Sequence, residues 1–553
     1  MIARATGLLF FAVAAFAQPP APAANAAVSG VVRDSVTGEP LANYNVSTDI
    51  GVTWVGNAVF QSRNMREVKS VTDESGRYQL SGLPPGTYRI SASNSESPGL
   101  SGLERRITVG GRDIDHVDFR VLVAGSISGR VVDENKEPVP NIDVALVVRE
   151  YFHGVLGYFI KQSARTDDHG QYKLRRVEPR KPVYVMAQRR EIRLPDRSEV
   201  PLDPRLRRRA IIPTFYPNSP DKEGAAAIVI RPRENREGVD IELKKSPSYC
   251  VEGTASGPNG PGRMTVQLTP VQPSTGRSNS GGVFGPIPAA QTGPDGKFRI
   301  CDLYKGEFRL AIDPQDSRAG GPRALETIAI SDRDLKNVEV MSRPLAIEGE
   351  VAFDGPAPEG GTPPHANISL QPLLRQANGP GKRVDVPSTF TLEDLVPAEY
   401  GLQIFPFTAK ALYVKEATFG GRDVLYGPLN PGTAAPGSGL RIVIGQDGAT
   451  FTASVSDKDG NPLAQAKVIV MPANVASDAM LQAAISEGET DQQGQFISST
   501  LAPGKYLIGA TFDEVDPSPE SIARLWRARD RFTEIELAPK VAATVSLRPV
   551  SLE

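Results

Sequence analysis

The chain has 553 residues, with 62 Lys and Arg against 64 Asp and Glu and a formal net charge of −2. This length is too great for one hydrophobic core, so we expect about three to five domains. The near-neutral balance excludes a global attraction to nucleic acid. The 52 Gly and 48 Pro, in a chain that is 40% hydrophobic, indicate frequent turns between β-strands.

The first residues follow the pattern of a secretory signal peptide. Arg4 provides a positive start, LLFFAVAAF (residues 8–16) is a short apolar run, and AFA (residues 15–17) is a small-residue cleavage site. We therefore predict a signal peptide over residues 1–17, with cleavage after residue 26 as the alternative. The apolar run is too short to span a membrane, and no later run is long enough. We expect an exported chain, periplasmic or extracellular, without a transmembrane segment.

A strand-like segment with a small residue at its centre recurs about every 100 residues, which is the size of a β-sandwich of seven strands. It reads VSGVV at residue 28, ISGRV at 127, VEGTA at 251, IEGEV at 347 and FTASV at 451. We predict an all-β chain of about five tandem immunoglobulin-like or transthyretin-like β-sandwiches in a string. The predicted domains are residues 27–124, 125–246, 247–344, 345–446 (the most divergent) and 447–550.

Within each repeat, a polar turn leads to a Gly and an aromatic residue, and a second tight turn follows. The first repeat reads TDESGRYQLSGLPPGTYRI over residues 72–90, and the fifth has TDQQGQFIS from Thr490. The apolar and turn residues persist between repeats, while the polar residues between them vary. We therefore interpret Asp73 and Glu74 as turn residues rather than catalytic carboxylates.

Aromatic residues outside this repeating frame are candidate ligand contacts. REYFHGVLGYFI (residues 149–160) groups Tyr151, Phe152 and Tyr158, and GVTWVGNAVF (residues 51–60) contains Trp54. Exposed rings at such positions can stack on sugars. At strand spacing, packing in a core or along a hairpin is the alternative interpretation.

The second domain also carries an Arg-rich insertion, predicted over residues 173–213. Its densest part is RLRRR, residues 205–209. A solvated loop is one interpretation, and a patch for anionic envelope polymers or lipid headgroups is the other.

The third domain contains Cys250 and Cys301, and the chain has 2 Cys in all. In an exported protein, two cysteines within one sandwich are expected to form a disulfide. Two buried free thiols are the alternative. Neither cysteine belongs to a C-x-x-C motif, so the sequence does not indicate a redox role.

The fifth domain contains one helical segment, SPESIARLWRARDRF at residues 518–532. Ser518 suits the N-cap and Pro519 the first helical position. Ile522, Leu525 and Trp526 then fall on one face. We predict one short helix over about residues 518–530.

Taken together, these segments resemble the carboxypeptidase regulatory-like domain, a transthyretin-like or Cna-B-like β-sandwich. The elements that carry the resemblance are G-x-V-x-D, G-x-P-L, V-x-V, T-D-x-x-G-x-Y-x-L and L-P-P-G-x-Y-x-I. They are close to the family pattern in the first and fifth repeats, fair in the second and third, and weak in the fourth. The resemblance implies a carbohydrate-binding-like fold and a non-catalytic accessory, adhesive or sugar-binding role.

The sequence shows no motif for catalysis or for a cofactor. None of the 4 His begins an H-E-x-x-H zinc motif, and there is no G-x-S-x-G elbow or P-loop. SDKDGNP (residues 456–462) resembles half a calcium loop, and we interpret it as a turn. We predict no catalytic residue, no metal and no cofactor.

The leading hypothesis is therefore a non-enzymatic exported protein for binding or scaffolding at the cell envelope, with a polysaccharide or another envelope component as partner and no nucleic acid. A hydrolase of peptides or glycans with an unrecognised carboxylate site is one alternative. A purely structural spacer is the other.

Overall fold

The computed structural model describes residues 25–55, 58–94, 104–189, 209–220, 222–257, 260–271, 289–314, 324–342, 345–357, 364–373, 379–407, 412–435 and 437–553. The predicted signal peptide and residues 190–208 of the basic insertion lie outside these residues. Over the described residues the chain consists mainly of β-strands joined by turns, arranged as five sandwiches in tandem, and the predicted fold class is confirmed.

The first sandwich buries Val28, Leu80, Ile90 and Phe119 between two sheets. Its strands are β1 (Ala26–Asp34), β2 (Asn45–Val55), β3 (Ala58–Val71), β4 (Arg77–Leu83), β5 (Gly86–Ser93), β6 (Glu104–Val109) and β7 (Phe119–Val121). One sheet has the order β4–β1–β7 and the other β3–β2–β5–β6.

The second sandwich has a core around Ile127, Val144, Leu174 and Val185. Its strands are β8 (Gly125–Val132), β9 (Ile142–Phe152), β10 (Val155–Arg165), β11 (Gln171–Val177), β12 (Tyr184–Arg189), β13 (Arg209–Ile212), β14 (Thr214–Phe215), β15 (Asn235–Arg236), β16 (Ile241–Glu242) and β17 (Lys244–Pro247), with a 3-10 turn at Lys222–Gly224. The sheet orders are β11–β8–β15, with β16 also paired to β8, and β10–β9–β12–β14. A separate ribbon, β13–β17, leads towards the third sandwich.

The third sandwich is built around Val251, Val266, Phe308 and Leu310. Its strands are β18 (Tyr249–Gly257), β19 (Gly260–Pro261), β20 (Met264–Pro270), β21 (Ala289–Gln291), β22 (Lys297–Leu303), β23 (Gly306–Pro314), β24 (Ala324–Ile330) and β25 (Leu335–Met341). The sheet orders are β19–β18–β22, with β25 also paired to β18, and β21–β20–β23–β24.

The fourth sandwich has a core around Ile368, Leu370, Leu395 and Ile442. Its strands are β26 (Leu345–Phe353), β27 (His365–Pro372), β28 (Gly381–Asp385), β29 (Ser388–Leu395), β30 (Tyr400–Phe407), β31 (Tyr413–Phe419), β32 (Arg422–Asp423), β33 (Pro428–Leu429) and β34 (Leu440–Gly445). The sheet orders are β29–β26–β34–β31–β32 and β28–β27–β30–β33, so strands β31 and β32 extend the first sheet beyond β34.

The fifth sandwich combines two sheets with a helical cap. Its strands are β35 (Thr450–Val455), β36 (Lys467–Pro472), β37 (Ser486–Glu489), β38 (Gln495–Ile497), β39 (Gly504–Thr511), β40 (Thr533–Leu537) and β41 (Ala542–Leu547), and its helices are α1 (Asp478–Ala484) and α2 (Pro519–Ala528). The sheet orders are β38–β35–β41 and β37–β36–β39–β40.

Helix α2 is the predicted helix. The Ser518 side chain accepts a hydrogen bond from the Ser521 N–H at 3.2 Å, and Ile522 and Leu525 pack in the cap together with Leu481 of α1. Helix α1 was not predicted from the sequence, which indicated one helix, whereas the described residues contain two α-helices. Helix α1 has seven residues and one buried side chain, Leu481, so its sequence is too short to show a helical repeat of apolar residues by which it could be recognised.

The sandwiches share one frame, in which the first strand runs parallel to a strand near the end of the same sandwich. In the second sandwich β8 pairs with β15 and β16, and in the fifth β35 pairs with β41. A Cβ on Gly30 or Gly129 would overlap the carbonyl oxygen of Val117 or Val239, respectively. This close approach of two backbones explains the Gly at the centre of the recurring segment.

The recurring polar turn also has a structural explanation. The Asp73 Oδ1 accepts hydrogen bonds from the Ser75 and Arg77 N–H groups at 2.8 and 2.9 Å. The Thr72 hydroxyl accepts from the Tyr44 N–H and donates to the Leu41 carbonyl. Thr166 with Asp167 and Thr490 with Asp491 make the same contacts in the second and fifth sandwiches. These side chains therefore hold turns, in agreement with our interpretation of Asp73.

Candidate functional site

Three of the four predicted aromatic contacts lie on the β9–β10 hairpin, which protrudes from the second sandwich. Its two-residue turn is His153–Gly154, with φ of 45° and 80°, the positive values that a type I′ turn requires. Tyr151 pairs with Leu156, and two pairs further along Tyr158 pairs with Arg149, so both tyrosines share one face of the hairpin. Phe152, one residue further along β9, points to the opposite face.

The tyrosines are half-buried. Tyr158 lies with its ring centroid 5.7 Å from that of Tyr184, and Lys222 Nζ lies 5.4 Å above the Tyr158 ring. The Tyr151 side chain packs against the helical cap of the fifth sandwich, and its N–H donates to the Pro517 carbonyl at 2.8 Å. Sequence reasoning did not anticipate this partner.

Phe152 and Trp54 lie elsewhere. The Phe152 ring meets the His153 ring edge-on, with 4.8 Å between the centroids. Trp54 is on β2 and opposite Val59 of β3, and its side chain lies outside the described part of the structure. Of the three predicted aromatic contacts whose side chains the structure describes, Tyr151 and Tyr158 share a face of the hairpin and Phe152 lies on the other face.

Charged groups surround the hairpin where it meets the fifth sandwich. Arg149 Nη2 lies 2.6 Å from Glu520 Oε1 on α2. Lys181 Nζ lies 3.0 Å from Glu514 and 3.5 Å from Asp516, and 2.7 Å from Glu178 of its own sandwich. Burial disfavours the charged form of Lys181, but the three carboxylates outweigh it and hold the pKa of the ammonium group above its ordinary value.

The tip of the hairpin meets two sandwiches at once. The His153 N–H donates to Gln482 Oε1 of α1 at 3.2 Å. The His153 ring lies against Gly401 of the fourth sandwich, so closely that a Cβ on Gly401 would overlap the imidazole. The hairpin therefore joins the second, fourth and fifth sandwiches.

A second set of contacts joins the fifth sandwich to the first. Arg105 Nη1 lies 3.7 Å from Glu489 Oε2, with 9% and 20% of the two side chains exposed. Gln492 Nε2 donates to the Thr108 carbonyl at 2.9 Å, and Gln492 Oε1 accepts from the Thr108 N–H at 3.4 Å. The amide of Gln492 thus covers the open edge of β6 as a neighbouring strand would. Burial raises the pKa of Glu489, and Arg105 opposes that shift.

We call these two sets together the closing junction. Its residues are Arg105, Thr108, Arg149, Tyr151 and Lys181 on the first two sandwiches, and Glu489, Gln492, Glu514, Asp516, Pro517 and Glu520 on the fifth. The fifth sandwich therefore contacts the first and second sandwiches, in addition to following the fourth in the chain. Glu489 and Gln492 lie at the variable polar positions of the repeat, so no sequence signal distinguished them.

Cys250 and Cys301 form a disulfide, as predicted, between neighbouring strands β18 and β22 of the third sandwich. The half-calcium loop is a turn in which Asp457 Oδ1 accepts from the Asp459 and Asn461 N–H groups. Among the described residues, no group of three or more His, Cys, Asp or Glu could hold a metal ion. Over the same residues, no helix is long and apolar enough to cross a membrane.

Comparison with known proteins identifies a family for the first sandwich. Residues 27–122 match the family model of the carboxypeptidase regulatory-like domain. No curated protein matches the chain.

Solved structures similar to this chain include several bacterial pilins. A minor pilin of Streptococcus agalactiae is 12% identical, covering 40% of this chain and 97% of its own, with a TM-score of 0.22. The major pilin subunit of Bacillus cereus is 10% identical, covering 54% and 99%, with a TM-score of 0.13. The shaft pilin of Lactobacillus rhamnosus GG is 8% identical, covering 40% and 97%, with a TM-score of 0.19.

For the first sandwich, the family match confirms the resemblance drawn from the sequence, so residues 27–122 of this chain are a carboxypeptidase regulatory-like domain.

Proposed function

We propose that this protein is a non-catalytic exported scaffold of the cell envelope, periplasmic or extracellular, whose sandwiches close into one folded-back unit. The closing junction is the observation that carries the proposal. It places partly buried ion pairs and hydrogen bonds between sandwiches that are hundreds of residues apart in sequence. Contacts of this kind fix the relative positions of domains. A scaffold requires fixed positions, whereas an extended chain of independent modules does not need them.

The family match supports the non-catalytic part of the proposal, because its description is that of a regulatory-like domain. The turn carboxylates support it as well. Asp73 and Asp457 accept backbone hydrogen bonds that hold their turns, so these carboxylates already have a structural role.

Small-angle X-ray scattering of the mature chain tests the scaffold. A compact single domain of this length has a radius of gyration of about 24 Å, and a linear string of sandwiches has roughly twice that value. We expect a value nearer the first, unchanged by dilution. An extended scattering profile would contradict the folded-back scaffold, and turnover of peptides or glycans by the purified chain would contradict its non-catalytic character.

A second candidate function is binding of an envelope polysaccharide at the face that carries Tyr158. This face also presents Leu156, 38% exposed, and the neighbouring ring of Tyr184, and it is joined by the Lys222 ammonium group. Aromatic rings beside a hydrogen-bond donor suit the apolar face and the hydroxyls of a sugar. Of the predicted contacts we favour Tyr158, because Tyr151 packs on the fifth sandwich and Phe152 on His153.

A pull-down with insoluble envelope polysaccharides tests this candidate. Tyr158→Ala is expected to lose retention, and Phe405→Ala to keep it. Phe405 is a suitable control because it is an aromatic residue on the fourth sandwich with 42% of its surface exposed. Equal retention of the two variants and the wild type would contradict a sugar site at Tyr158.

A further inference from the structure

The Cys250–Cys301 disulfide is accessible from solvent on its Cys301 side. Cys301 is exposed and Cys250 is half-buried. Both stand at a register shift between β18 and β22, where the pairing passes from Tyr249–Leu303 to Val251–Ile300. An exposed disulfide is open to attack by an external thiolate, whereas buried sulfur is inert until the domain unfolds.

A cation lies beside the inner sulfur. Arg299 Nη2 is 3.9 Å from Cys250 Sγ, and the same guanidinium group pairs with Glu252 at 3.0 Å. The Cys250 N–H donates to Asp334 Oδ1 at 3.0 Å, so this carboxylate is engaged with the backbone. A guanidinium group stabilises a thiolate, so Cys250 is the better leaving group of the two cysteines.

We propose that this disulfide is a thiol–disulfide exchange site, which reacts with an external dithiol while the protein is folded. One thiolate of the dithiol attacks Cys301 Sγ and forms a mixed disulfide, and the Cys250–Cys301 bond breaks with its electron pair on Cys250 Sγ. The second thiolate of the reagent then attacks the reagent sulfur of the mixed disulfide and releases Cys301. The dithiol is oxidised by two electrons, and the two cysteines are reduced and take up its two protons.

The position of this site gives the exchange a structural consequence. Strand β17 ends at Pro247 in its ribbon with β13, and β18 begins at Tyr249, so Ser248 alone separates the second sandwich from the third. The Ser248 hydroxyl donates to Asp302 Oδ1, beside Cys301, at 3.4 Å. Reduction therefore removes the covalent tie between β18 and β22 directly at the link between two sandwiches.

Reduction under native conditions tests the proposal. The oxidised chain is treated with dithiothreitol, alkylated at intervals with iodoacetamide and digested for mass spectrometry, while circular dichroism follows the fold. We expect both cysteines to be alkylated before any loss of β-structure. Alkylation no faster than global unfolding would overturn the proposal.

The order of attack is tested with a monothiol and two substitutions. 2-Mercaptoethanol carries no second thiolate, so acid quenching at early times captures the mixed disulfide, and we expect the adduct on Cys301. Arg299→Ala should slow reduction about threefold to fivefold, because the leaving thiolate loses its cation. Lys297→Ala is the matched control, since Lys297 lies on the same strand and pairs with Asp295 at 3.5 Å. An adduct on Cys250, or equal rates in the two variants, would overturn the assignment of Cys250 as the leaving group.

Discussion

At the scale of the residue, two kinds of position connect the first strand of a sandwich to the end of the same sandwich. One is the Gly of the recurring segment, which allows two backbones to meet. The other is the aromatic residue after the polar turn. Tyr78 and Tyr172 donate their hydroxyls to the Val117 and Val239 carbonyls at 2.6 Å. The Gly packs against the same carbonyl group to which the Tyr donates, so the two positions together join the first strand to the end of the sandwich.

Replacing Gly129 by Ala tests the close approach. The new Cβ meets the Val239 carbonyl, so the backbones must separate, and we expect a loss of about 1–3 kcal/mol in the free energy of unfolding. Urea unfolding followed by circular dichroism measures the change. The fifth sandwich has Ala453 at the same position, fully buried. Ala453→Gly should cost about 1 kcal/mol or less, because it only adds backbone freedom. A Gly129→Ala variant as stable as the wild type would contradict the explanation.

Replacing Tyr172 by Phe tests the hydroxyl and predicts a pH dependence. At neutral pH we expect a loss of about 1–2 kcal/mol, because the buried hydrogen bond to Val239 disappears. Burial raises the pKa of Tyr172 above its ordinary value of 10.0, with Asp240 acting in the same direction. The unfolded chain therefore releases the proton first, and the wild type loses stability as the pH rises above about 10.

Urea unfolding of wild type and Tyr172→Phe between pH 8 and pH 11 measures this dependence. The difference in stability between the two proteins should shrink as the pH rises. A constant difference over this range would show that Tyr172 does not contribute to the alkaline loss.

At the scale of the element, helix α2 could be predicted because two neighbouring residues, the N-cap Ser518 and the first helical residue Pro519, mark its start. The β9–β10 hairpin also has a local signal, His153–Gly154 between two β-rich runs. Helix α1 had no such signal. Its N-cap, Ser477, makes no side-chain hydrogen bond, and the helix is held by the packing of Leu481 in the cap. Elements fixed by tertiary packing cannot be read from a local pattern.

Removing the N-cap side chain of α2 tests how far the local sequence signal stabilises this helix. Ser518→Ala loses the hydrogen bond from the Ser521 N–H and should destabilise the fifth sandwich by about 1 kcal/mol. Ser477→Ala is the control at the start of α1, and we expect almost no effect, because that side chain makes no cap hydrogen bond. Thermal unfolding of the two variants measures the difference. Equal stabilities would show that the cap hydrogen bond adds nothing to α2.

At the scale of the whole molecule, the tandem sandwiches could be predicted from the repeats, but the closing junction could not. Thr108 and Gln492 are 384 residues apart, and nothing near either residue marks it as a contact. Gln492 lies at a turn position whose polar residues change from repeat to repeat. The same variation that led us to interpret the recurring turns as structural also concealed the contact of this turn with another sandwich.

The ion pair between Arg149 and Glu520 provides the sharpest test of closure. Glu520→Arg replaces the carboxylate that lies 2.6 Å from Arg149 Nη2 by a second cation, at a site where 30% and 48% of the two native side chains are exposed. We expect the fifth sandwich to separate more often from the hairpin. The Tyr151 N–H, which donates to the Pro517 carbonyl, should then exchange with deuterium about tenfold faster.

Reversing the pair supplies the decisive comparison. Arg149→Glu combined with Glu520→Arg restores opposite charges and should return the exchange rate of Tyr151 close to that of the wild type. Glu534→Arg is the matched control, since it disrupts the exposed Lys505–Glu534 pair, whose two members both lie in the fifth sandwich. It should leave the Tyr151 amide unchanged. If Glu520→Arg exchanges like this control, or the double variant fails to recover, the ion pair does not hold the junction closed.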